Sequence, residues 1–93
     1  MHELKVIYIN PIPEQIEDGI LYISNLSEVS IHLCPCGCGN QIILPFYTVI
    51  NKKEVGWGHI FNKGLISTKP SIGNNHLPCK SHYYITNNKI EYI

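Results

Sequence analysis

Arginine is absent from this 93-residue sequence, and aspartate and tryptophan occur once each. The missing arginine bears most on function, because its planar guanidinium is the side chain most used to read guanine edges and to clamp phosphates bidentately. Seven Lys stand against six Glu and one Asp, for a formal net charge of zero. No basic field therefore draws in nucleic acid; Lys52-Lys53 and Lys63 form only a weak patch, and a nucleic-acid partner is not expected. Long apolar runs are missing too. No stretch approaches the roughly 18 residues needed to cross a bilayer, and Met1-His2-Glu3-Leu4-Lys5 lacks the basic, apolar, small-residue order of a secretory signal. The expectation is a cytoplasmic protein without a membrane partner. A sustained 3.6-residue apolar period is also lacking, which argues against a helical architecture, and no repeat or low-complexity linker is visible.

What is present is a chain with 44% apolar residues, including six Tyr and two Phe, a composition that folds. Its length predicts one domain over residues 1–93 with a thin core. Short β-branched and aromatic stretches recur: residues 4–9 (LKVIYI), 20–24 (ILYIS), 29–33 (VSIHL), and 41–49 (QIILPFYTV) interrupted by Pro45. Residues 56–61 and 65–68 flank Asn62-Lys63-Gly64, and 82–86 and 89–93 flank Asn87-Asn88; both read as hairpins. Residues 13–18 offer one helical turn, and residues 70–78 (PSIGNNHLP) read as a loop. The predicted fold class is all-β or nearly all-β, a small zinc-stabilised domain of about six to eight short antiparallel strands. Trp57, between two glycines, is expected in the core or as a lid over the metal loop, and the tyrosines in the core or on sheet faces.

The most informative run is Cys34-Pro35-Cys36-Gly37-Cys38-Gly39. Three thiols interleaved with Pro and Gly make a turn that can wrap one ion, and backbone N–H groups beside the sulfurs can support their negative charge. In a reducing compartment such spacing points to metal or catalysis rather than disulfides. Downstream, Cys79-Lys80-Ser81-His82 supplies a C-x2-H pair. Cys34, Cys36, Cys38, Cys79 and His82 are thus five candidates for four tetrahedral positions, with His32, His59 and His76 as outside candidates. Thiolate with imidazole favours zinc, with iron the alternative. A cysteine near a histidine also offers a nucleophile and base, and the spare cysteine motivates that reading. Ser71 in the PSIG stretch could set a hydroxyl beside the site, but a turn is the preferred reading there.

Together His32-Leu33-Cys34-Pro35-Cys36-Gly37-Cys38-Gly39, Trp57, Pro70-Ser71-Ile72-Gly73 and Cys79-Lys80-Ser81-His82-Tyr83-Tyr84-Ile85 with a closing hairpin resemble a family of small bacterial and phage proteins. That family shares CPCGCG, PSIG and C-x-SH-aromatic motifs, and the resemblance covers roughly residues 20–93. Its members are often encoded beside bacterial ubiquitin-like conjugation genes in defence settings. The resemblance puts all five candidate ligands on shared family positions; Tyr92 stands where the family often has Trp, a departure that touches local packing only. It implies a protein partner from a ubiquitin-like pathway. The leading expectation is a zinc-binding accessory or adaptor protein of such a system. The alternative is a small cysteine- or metal-dependent hydrolase or transferase acting on a ubiquitin-like conjugate.

Overall fold

The computed structural model describes residues 3–74 and 80–93, and its ordered elements there are all strands. Eleven of them follow in chain order: β1 (Lys5–Tyr8), β2 (Ile20–Ser24), β3 (Val29–Leu33), β4 (Gln41–Pro45), β5 (Thr48–Ile50), β6 (Lys53–Val55), β7 (Gly58–Asn62), β8 (Leu65–Lys69), β9 (Ile72–Gly73), β10 (His82–Thr86) and β11 (Lys89–Tyr92). Among the described residues no helix is long and apolar enough to cross a membrane.

One sheet has the order β1-β2-β3-β4 and another β11-β10-β9, while β5-β6 and β7-β8 form separate two-stranded ribbons. All pairs are antiparallel except β1 with β2, which run side by side in the same direction. The hairpin tips take the left-handed backbone that tight turns with right-twisted arms demand, at Asn51-Lys52, Lys63-Gly64 and Asn87-Asn88. The last of these tips is stitched to β8: Asn88 N–H donates to the Ile66 carbonyl at 2.8 Å, and Ile66 N–H donates to the Asn88 side chain at 2.7 Å.

Four expectations are corrected, the first being the strand count: the described residues form eleven short strands with one parallel pair, where about six to eight antiparallel ones were expected. Residues 13–18 form bends and a turn rather than a helical turn; Pro11, Pro13 and the short polar stretch after them offer no apolar face to bury. The stretch 41–49 is two strands, broken after Pro45, and β6 was not foreseen because Lys53-Glu54-Val55 is fully exposed and carries no apolar period. The loop expected at 70–78 contains β9, held by pairing of Ile72 with Tyr83 and of Gly73 with His82.

The core gathers Leu4, Leu21, Ile23, Cys34, Ile42, Leu44, Ile66, Ile72, Tyr83, Ile85 and Ile90, with Val6, Phe46 and Trp57 packed against it. β3 departs from the usual arrangement. Its buried face carries Ser30 and His32, whereas Val29, Ile31 and Leu33 are only half-buried on the other. Burying polar groups is costly unless they are hydrogen-bonded, so their partners lead to the site.

Candidate active site and cysteine centre

The cysteine turn leaves the end of β3. Cys34 is fully buried, while Cys36 and Cys38 are exposed. The loop closes by Cys34 N–H donating to the Asn40 carbonyl at 2.8 Å and Gly37 N–H donating to the Cys34 carbonyl at 3.1 Å. Gly37 and Gly39, at φ +89 and +83, make the left-handed reversals that turn the sulfurs toward one another. The three sulfurs lie within 4.8 Å of each other, Cys34 to Cys36 at 3.3 Å. Sulfurs about 2.3 Å from one tetrahedral ion stand roughly 3.8 Å apart, so the set fits a zinc-sized ion with small adjustments. The backbone N–H of Asn40 and then its side-chain amide, 3.1 Å from Sγ, hold the Cys38 thiol below its usual range; such donors favour the thiolate that binds metal.

Cys79 and His76 lie outside the described residues. His82, offered by the sequence as a ligand, is placed with a different partner: its Nε2 is 2.7 Å from the Ser71 hydroxyl. The two strands explain this. His82 opens β10 opposite Gly73 and Tyr83 pairs with Ile72, so Ser71, which the register sets toward Tyr84, reaches His82 diagonally across the face that Gly73 and His82 share. Side chains alternate along an extended strand. Ser81 and Tyr83 are accordingly buried while His82 and Tyr84 are exposed. Ser81 faces the cysteine turn, with Oγ 3.2 Å from Cys34 Sγ, and His82 faces the opposite side. Gly73 leaves room beside the ring, since a Cβ there would sit 3.7 Å from His82 Cδ2. Among the described residues no carboxylate orients the imidazole.

A second serine–histidine pair lies deeper. Ser30 Oγ is 2.8 Å from His59 Nε2, and His59 Nδ1 is 2.8 Å from the Trp57 carbonyl. A carbonyl only accepts, so Nδ1 carries the proton and Nε2 accepts from Ser30. Burial lowers the affinity of His59 for a second proton, and the Trp57 bond offsets part of that. Ser30 is 0% exposed, out of reach of a substrate, whereas Ser71 is half-buried and His82 exposed. His32, also suggested as a ligand, is committed to Tyr83, with Nε2 2.6 Å from the phenol oxygen. Trp57 is half-buried over the core, as expected, and its indole N–H donates to the Ser71 carbonyl at 3.5 Å.

A cleft of about 940 Å³ opens beside residues adjoining the pair, Pro70 and Tyr84. It is lined by Tyr47, Glu54, Gly56, Gly58, Lys69, Pro70, Tyr84, Thr86 and Glu91. Pro70 directly precedes Ser71, and Tyr84 is the next residue on the His82 face of β10. Tyr47 donates to Glu54 at 2.8 Å, a bond that raises the phenol above its usual range and fixes one wall.

Sequence reasoning did not pair Ser71 with His82: it read residues 70–78 as a loop and preferred a turn over a hydroxyl set beside the site by the PSIG stretch. The signal that could have found the pair was the co-occurrence of PSIG and S-H, each supplying a polar residue with no core task. Compared with known proteins, the chain matches over residues 8–93 a family model described as bacterial ubiquitination-like system serine protease (BubE). No curated protein and no solved structure matches.

Proposed function

The chain belongs to the BubE family of bacterial ubiquitination-like system serine proteases, and from that premise we propose that it is a serine protease with Ser71 as nucleophile and His82 as general base. The observation that carries this reading is the 2.7 Å contact between Ser71 Oγ and His82 Nε2 on an accessible face, with a cleft lined by the adjoining residues Pro70 and Tyr84. A serine hydroxyl is a weak nucleophile until an adjacent base takes its proton. As Oγ attacks the scissile carbonyl, Nε2 accepts that proton; the tetrahedral adduct collapses, the leaving group departs with the proton, and an acyl group stays on Ser71. Water then attacks the ester, Nε2 takes one of its protons and returns it to Oγ, and the acid is released. The cleft holds the substrate chain, whose class is a ubiquitin-like conjugate.

Within this reading Cys34, Cys36 and Cys38 hold a structural zinc, for which the sulfur spacing and the Asn40 donors speak. Cys79 is the fourth ligand the sequence offers once His82 is engaged with Ser71. The accessory or adaptor reading keeps the zinc but gives the Ser71–His82 pair no task. The cysteine- or metal-dependent hydrolase shares the substrate class but differs in its nucleophile.

The test is labelling with a fluorophosphonate, which modifies activated serines, followed by peptide mapping and by hydrolysis of a ubiquitin-like conjugate. The label is expected on Ser71, and Ser71→Ala should abolish it and cut hydrolysis by about 10³-fold or more. Full hydrolysis by Ser71→Ala would overturn the assignment.

A further inference from the structure

The dyad is carried by the shortest of the strand-to-strand ladders among the described residues. β9 is two residues long, and only Ile72 with Tyr83 and Gly73 with His82 are in register. A nucleophile and base must stay within a fraction of an ångström of productive geometry, and misplacement by about 1 Å costs on the order of 100-fold in rate. β11 holds the other edge of β10, with Ile93 N–H donating to the His82 carbonyl at 3.0 Å, which fixes the backbone and leaves the setting of the imidazole over Ser71 to the residues on either side of it.

The anchors lie on the far side of β10. Ser81, before His82, is bound to Cys34 at 3.2 Å; Tyr83, after it, is bound to His32 at 2.6 Å. Both neighbours of the base are thereby moored to β3 and the turn that leaves it. Asn74 completes the cysteine-side anchor. Its backbone N–H donates to the Ser81 carbonyl at 2.9 Å, extending the β9–β10 pairing by one step, and its side-chain amide donates to Ser81 Oγ at 2.9 Å. The same amide stands 4.0 Å from Cys34 Sγ. Cys34, Asn74 and Ser81 are 0%, 2% and 8% exposed. Apolar side chains would fill this space without the desolvation cost that a buried amide and hydroxyl carry. A polar pair against a sulfur makes sense as the support of a metal-bound thiolate.

We propose that the Cys34–Cys36–Cys38 centre is a metal-operated clamp on the dyad, with Ser81 and Asn74 as positioning residues that transmit zinc binding to His82. The clamp rests on the protease reading given above. A metal-bound Cys34 carries thiolate charge, and a hydroxyl donating to it forms a charge-assisted hydrogen bond, about twice as strong as a neutral one. The ion therefore interacts differently with a chain in which Ser81 is docked and one in which it is not, which is what lets a ligand shift a conformational equilibrium. With zinc in place Ser81 is docked on Cys34, Asn74 closes the ladder, and His82 is held over Ser71. Without it the cysteine turn loosens and the base drifts from the nucleophile while the hydrophobic core persists.

The experiment uses the full chain, stripped with a chelator and titrated with zinc. Bound metal is read by native mass spectrometry, folding by near-ultraviolet circular dichroism, and the dyad by the rate of fluorophosphonate labelling of Ser71 and by steady-state hydrolysis. One zinc per chain is expected, with labelling and kcat rising together by about 10- to 100-fold on loading and KM unchanged. Ser81→Ala should still bind one zinc yet label at least about tenfold more slowly, and Ser81→Thr, which keeps the hydroxyl, should recover most of the rate. A folded, stripped chain that labels as fast as the loaded one overturns the clamp, as does a chain that binds no zinc. Should stripping unfold the chain outright, the zinc-loaded Ser81 variants decide: labelling of Ser81→Ala at the wild-type rate overturns the proposal. A zinc-loaded wild-type chain whose Ser71 takes no label overturns the protease reading itself, so the two failures are distinct.

Discussion

Acidification should destabilise this protein through His32, by an amount the structure allows to be worked out. The imidazole is fully buried in β3; Nε2 meets the Tyr83 hydroxyl, and Nδ1 has no hydrogen-bond partner among the described residues. A proton added there would place a charge in the core without a counter-charge, and burial accordingly lowers its pKa from 6.5 to about 4. Since the folded chain holds this proton less tightly than the unfolded one, the stabilising contribution is fully present above about pH 6.5 and is lost as pH falls through about 4. At about 1.4 kcal/mol for each tenfold change in proton affinity, the loss at pH 4 comes to about 3 kcal/mol, a large fraction of what a small domain has. The assay is urea unfolding from pH 7 to pH 4 of the wild type and of His32→Gln, which keeps an acceptor for Tyr83 but does not titrate. His59 and the cysteine centre contribute to both proteins, so the difference between them isolates His32. The wild type should lose about 3 kcal/mol relative to the variant across that range. A difference that stays constant with pH, or a His32 ring that titrates near 6.5 by NMR, would refute the reasoning.

Two glycines on the cleft separate structure from function. Gly56 sits at φ +83, and a Cβ there would lie 2.3 Å from the Phe46 carbonyl oxygen and 2.7 Å from that of Pro45; Gly56→Ala should cost about 2–5 kcal/mol, from left-handed strain together with overpacking, measurable by chemical denaturation. Gly58 has no such need, since its Cβ would meet only the Lys69 carbonyl at 3.8 Å. Gly58→Val should leave stability within about 1 kcal/mol but narrow the cleft and raise KM for a conjugate several-fold, with labelling of Ser71 by a small fluorophosphonate unchanged.

The parts of the fold that were legible in the sequence are those with local causes. β2, β3 and both expected hairpins follow from β-branched runs and from turn residues suited to positive φ, and the cysteine cluster announced itself by density. β6 and β9 were not legible because neither has an apolar period. β9 exists only because Gly73 and Ile72 find partners on β10, and that pairing is a property of the tertiary fold. The same gap hid the Ser71–His82 contact: the two residues are brought together by this two-residue ladder, and nothing in either motif taken singly reveals it. His82 was read together with Cys79 through their spacing, but alternation along β10 turns it from the cysteine turn while Ser81 faces Cys34. The polar inner face of β3 was visible as an alternation, with the roles of the two faces inverted.

That inverted strand has a consequence for anyone who would engineer the molecule. Ser30 and His32 lie in the interior hydrogen-bonded to His59 and Tyr83, and replacing both members of such a pair by well-packed apolar residues can be neutral or stabilising, whereas replacing one alone strands the other. A selection for heat resistance or expression would therefore favour loss of each pair together, and with His32 would go a mooring of the residue next to the base. The hardiest descendants of this sequence would be well-folded proteins with a slack Ser71–His82 contact, so that stability and the geometry of that contact must be selected together.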